Sequence, residues 1–100
     1  MNEQKCVLNG YYIHYKGMPY QLVDLTKDSD TMKDMVTYKA LYTSKDFGKH
    51  MRWSKQKDEF FKDIELEGKT TPRFKFVGTT IDELITALKD CNSQTQLILD

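Results

Sequence analysis

Short runs of strand-forming residues, each broken off by Gly, Pro or Asp within a few positions, occupy most of this chain. Tyr11–Tyr15 contains only aromatic, β-branched and histidine residues, between the turn formers Asn9-Gly10 and Gly17. "KGMPY" follows as a hairpin turn, because Gly17 tolerates positive φ and Pro19 fixes its own φ. A second strand runs over 20–26. "MVTYKALY", 35–42, alternates so that Val36, Tyr38, Ala40 and Tyr42 share a face expected to be core. Strands this short, at this spacing, predict a small barrel or strongly bent sheet.

The remaining segments fit that frame. Residues 27–34 read as a loop or a single helical turn, and 43–50 as a loop turning at Gly48. Residues 51–54 read as a short strand bearing the one tryptophan, Trp53. Phe60, Phe61 and Ile64 fit a helical turn or an irregular edge. From Ile64 to Gly78 the pattern is a hairpin, turning at Glu67-Gly68-Lys69 and returning over Arg73–Val77, with Pro72 at its entry. Alternation in the opening strand is expected to turn Tyr11, Ile13 and Tyr15 inward and Tyr12, His14 and Lys16 outward.

The tail changes period. Ile81, Leu84, Ile85 and Leu88 recur at helical spacing, and Thr80 with Glu83 forms a capping-box signature. A helix is expected over 79–92, capping the barrel or pairing with a second copy in a homodimer. Residues 94–100 read as a last strand or a partly ordered end.

Composition narrows the function classes. A chain of 100 residues predicts one domain, with a core at 10–77 and a helical extension at 79–100. Its 15 basic residues balance 15 acidic ones, unlike a dedicated duplex-DNA binder. A hydrophobic share of 39% argues against disorder. No apolar run spans a bilayer and no export signal is visible, so a cytoplasmic protein with Cys6 and Cys91 reduced is expected. No metal-ligand spacing and no cofactor motif stands out, and phosphate-loop and nucleophile-elbow signatures are missing.

Tyr12, His14-Tyr15-Lys16-Gly17 and Tyr20, in that order, resemble the start of a small bacterial family known as domain of unknown function 1653. Asp30-Thr31, the strand residues Val36, Tyr38, Leu41 and Tyr42, and then Trp53, Phe60, Gly68 and Pro72-Arg73-Phe74 extend the resemblance over roughly 10–77. It implies an SH3-like β-barrel and no particular activity. This sequence departs from the family after Trp53. Ser54, Lys55 and Gln56 replace an apolar residue, Arg and Pro, and Lys33 stands where an acid is common. Lysine keeps the charge of arginine without its planar fork.

His14, Lys16, Tyr20, Asp30, Trp53 and Arg73 are the candidate binding residues. His14 has the side chain for a general base if Asp30 partners it, and is otherwise a surface strand histidine. Lys16 and Arg73 suit an anion, although an ion pair of Arg73 with Asp30 or Glu59 would make its role structural. Tyr12, Tyr20, Tyr38, Tyr42 and Trp53 either line a groove or fill the core, with Trp53 expected in the core. The basic stretch Lys45, Lys49, His50, Arg52, Lys55 and Lys57 suits a phosphate backbone or a solvated edge. The first reading is a non-catalytic interaction module, for protein or peptide in preference to nucleic acid. The alternative is a small-ligand binder or enzyme with a pocket built on His14, Lys16, Asp30 and Arg73.

Overall fold

The computed structural model describes residues 6–99. Its centre is a five-stranded antiparallel sheet in the order β6-β3-β2-β1-β9. The strands are β1 (Tyr11–His14), β2 (Pro19–Lys27), β3 (Asp34–Ala40), β6 (Arg52–Gln56) and β9 (Phe74–Gly78). Two small hairpins interrupt this order: β4 (Thr43–Ser44) with β5 (Gly48–Lys49), and β7 (Asp63–Leu66) with β8 (Lys69–Pro72). A single helical turn, α1 (Lys57–Phe60), follows β6, and α2 (Ile81–Asp90) follows β9.

Local chemistry accounts for the connections. The β1–β2 turn closes with the Gly17 amide donating to the His14 carbonyl at 2.7 Å, and Gly17 takes φ +99°. At the β2–β3 tip the Asp28 carboxylate accepts from the amides of Asp30 (2.8 Å) and Thr31 (3.2 Å). Helix α2 starts on the expected capping box. The Thr80 hydroxyl accepts from the Glu83 amide, and the Glu83 carboxylate accepts from the amides of Thr79 and Thr80. Gly78 makes room for it, since a Cβ there would stand 2.5 Å from Glu83 Cδ.

The main core lies on the even-numbered face. Tyr12, Tyr20, Leu22, Val36, Tyr38 and Ala40 bury there with Phe60 and Phe74. Expectation is only half met for the opening strand: Ile13 is buried and Lys16 exposed as read, but Tyr12 is fully buried, Tyr15 is exposed, and Tyr11 is only partly covered. The cause is α2, which packs on β1 and β9 from the other side. It encloses Ile13 and Leu41 with Leu84 and Leu88 in a second, smaller core. Both faces of β1 are therefore apolar. Burying the Tyr12 ring leaves its hydroxyl satisfied, because it accepts from the Val7 amide at 3.0 Å. Leu84 and Leu88 of the α2 stripe face its own sheet, while Ile81 and Ile85 are only partly covered.

The expected closed barrel is not found among the described residues. Strands β6 and β9 end the sheet at opposite edges and do not pair. The excursion from 57 to 73 separates them in sequence, and α1 packs against β3 and β6. Phe60 thereby stacks flat on Phe74, with ring centres 4.2 Å apart and planes 7° from parallel. Aromatic rings fill the space where edge strands would have to meet. What forms is a mainly β domain with a C-terminal helix.

Two further expectations change. The returning strand of the 63–78 hairpin is β8, while 74–78 pairs with β1 instead. The tail after α2 is neither strand nor helix but an irregular strap. The Ile98 amide donates to the Leu41 carbonyl (2.8 Å), and the Ser93 hydroxyl to that of Gly17 (2.7 Å). Cys6 and Cys91 are both free thiols.

Candidate functional site

Where β1, β2, β3 and β6 turn their even and aromatic side chains toward the open edge, a cleft of about 330 Å³ forms. His14, Tyr20, Tyr38, Tyr42, Trp53, Lys55, Arg73 and Phe74 line it, with Ser44, Phe47 and Met51 from the β4–β5 region. Strand register explains the meeting. Tyr38 stands opposite Trp53, Tyr20 opposite Ala40, and His14 opposite Phe74, the neighbour of Arg73. Four of the sequence candidates, His14, Tyr20, Trp53 and Arg73, thus share one site.

The other two do not. Asp30 sits exposed at the β2–β3 tip, at the opposite end of the hairpin from Tyr20. Seven strand steps separate Tyr20 from Lys27, a distance on the order of 20 Å. Lys16 is exposed on the β1–β2 turn, with its ammonium 5.8 Å from the centre of the Tyr15 ring. It borders a second, larger hollow of about 680 Å³ beside the end of α2, which His14 also lines.

The electrostatics of the cleft are one-sided, because no Asp or Glu among the described residues lines it. The ion pair that forms among the described residues is Lys27–Asp34, at 2.7 Å and far exposed. Arg73 therefore pairs with neither Asp30 nor Glu59. Its Nε–H is shielded from solvent and has no acceptor among the described residues. A buried donor left so costs about 1–3 kcal/mol.

Burial, reinforced by the charges of Lys16, Arg73 and Lys55, holds the His14 imidazole down to a pKa of about 4. Its Nδ1 accepts from the Lys16 amide at 3.2 Å, so the neutral ring carries its proton on Nε2. The Tyr20 and Tyr42 hydroxyls hydrogen-bond to each other. Burial, with this bond, pushes the Tyr20 phenol up, and burial also raises Tyr38. His14, Tyr20 and Tyr38 are therefore neutral near pH 7.

In an NMR titration, the His14 ring resonances are expected to move with a midpoint near 4. A midpoint near 6.5 would contradict the burial described. The folded value lies below the unfolded 6.5. The unfolded chain therefore binds the proton more readily between the two. The His14 contribution to stability is whole above pH 6.5 and is lost as pH falls toward 4.

Trp53 is half-buried at the rim, not enclosed in the core, with Phe47 edge-on to it at 5.0 Å. Phe47, Ser44 and Met51 were not readable as site residues. The available hint was an aromatic beside Gly48 in a polar turn, and Phe47 is indeed 55% exposed.

An open, twisted sheet with an aromatic, cation-lined cleft at one end defines a small β domain built around a pocket. The chain belongs to the DUF1653 family of proteins of unknown function, whose model matches residues 10–76. A crystal structure of a DUF1653 protein from Bordetella bronchiseptica superimposes with a TM-score of 0.64 at 23% identity. It covers 78% of this chain and 96% of that one, a likeness of fold. No curated protein matches the chain. Of the residues that carry the resemblance, Tyr20, Tyr38, Trp53, Phe60 and Arg73-Phe74 build the core and the cleft, while Lys16, Asp30-Thr31 and Gly68 lie outside them. No described helix is long and apolar enough to cross a membrane.

Proposed function

We propose that this domain is a non-catalytic interaction module that receives an anionic group of a protein or peptide partner in the His14–Arg73 cleft. One observation carries the reading: Lys55 and Arg73 line the cleft with no carboxylate among the described residues to neutralise them. Half-buried cations without a counter-ion favour an incoming anion, and aromatic walls add contact area for the side chain that presents it. The alternative enzyme or small-ligand reading loses its acid, since Asp30 stands at the far end of the β2–β3 hairpin. His14 then has no carboxylate partner to make it a general base.

Trp53 is the sole tryptophan and lines the cleft, so its fluorescence reports occupancy. Titration with a short peptide carrying glutamate beside phenylalanine is expected to give a saturable change that weakens with added salt. His14→Ala is expected to weaken binding while leaving the unfolding midpoint nearly unchanged. Binding insensitive to salt and to Arg73→Gln would count against the cleft as the docking point.

A further inference from the structure

The cleft holds more hydrogen-bond capacity than its own residues use. Tyr38 is only 7% exposed, yet its hydroxyl bonds to no described residue. That hydroxyl is not among the sealed, unpartnered atoms, so it opens onto the cleft that Tyr38 lines. Arg73 Nε has no acceptor among the described residues, but it is sealed from solvent and so is not a group that an occupant reaches. The Nε2–H of His14 has no acceptor among the described residues. The Tyr20–Tyr42 pair shares one of its two hydroxyl hydrogens and leaves the other to give. Donors thus surround the space, and Lys55 and Arg73 supply two uncompensated charges.

A carboxylate would neutralise one of those cations and offer two oxygens. A phosphate monoester carries a charge of about −1.5 to −2 and offers three. Trp53, Phe47 and Phe74 line the same space, which suits a flat ring attached to the anion. We propose that the preferred occupant is a phosphate monoester on an aromatic ring, as in the side chain of a phosphorylated tyrosine on the partner. Arg73, Lys55 and the Tyr38 hydroxyl would grip the phosphate, and Trp53 with Phe47 would pack on the ring. This rests on the anion-binding reading above and adds the charge and shape of the anion.

The test is Trp53 fluorescence, with phenyl phosphate, benzoate and adenosine 5′-monophosphate as separate probes. Phenyl phosphate is expected to bind about tenfold more tightly than benzoate. Tyr38→Phe keeps the buried ring and removes only the free hydroxyl; Lys55→Gln removes one charge. Each is expected to weaken phenyl phosphate about tenfold and benzoate far less. Equal affinity for phenyl phosphate and benzoate would overturn the phosphate inference and leave the anion-binding reading standing. Silence toward both would overturn the two together. Tighter binding of adenosine monophosphate than of phenyl phosphate would replace the phosphotyrosine source with a nucleotide. Unaltered phenyl phosphate binding in both variants would overturn the assigned grip.

Discussion

Replacing Phe60 with alanine is expected to cost about 3–5 kcal/mol of stability. The ring is 0% exposed and lies flat on Phe74. It also meets Tyr12 edge-on at 5.4 Å and tilts against Tyr38 at 5.1 Å. Phe60 belongs to α1, a turn of four residues too short to hold itself together. The aromatic cluster thus holds the turn, and the turn holds the gap between β6 and β9. Urea unfolding should show a lowered midpoint, and a loss below about 1.5 kcal/mol would mean that the site refills by collapse. Because Tyr38 and Phe74 also line the cleft, the same variant should broaden the Trp53 environment.

Leu84→Ala is the second large effect, expected at about 2–5 kcal/mol. Leu84 is fully buried against Ile13, Leu41 and Leu88 on the face opposite the main core. A helix of ten residues has little stability of its own, so its packing decides whether it forms. Loss of this contact should free α2 and uncover Ile13. Thermal unfolding followed by circular dichroism measures the effect. A change under about 1 kcal/mol would show that the sheet stands without its second layer. Glu83 should lose its helix-capping bonds in the same step, since they depend on the first turn of α2.

Local chemistry was legible in the residues. The Gly17 turn and the Thr80–Glu83 cap state their structure within a few positions and form as read, and the alternation of 35–42 holds as far as Ala40, where the strand ends and Leu41 turns into the second core. Parity was also legible, but which parity faces the larger core was not. Alternation sorts Tyr12 from Ile13; it cannot weigh a distant α2 that makes both faces apolar. Partner choice was equally hidden, because 74–78 had a plausible neighbour nearby and took β1 instead. For the site, His14, Tyr20, Trp53 and Arg73 could be nominated by residue type. That Asp30 would be excluded depends on the length of the β2–β3 ladder, a property of pairing and not of any one residue.

The pairing of β1 with β9 has a consequence for how the molecule is made. The first strand of the chain waits for the last before both of its edges are hydrogen-bonded, and the strap reaches back further still, from Ile98 to Leu41. Contacts between distant parts of a sequence slow folding, since the intervening loop must close before they form. A nascent chain can therefore build the β2–β3 hairpin early, while its opening tyrosines stay uncovered until β9 has been made.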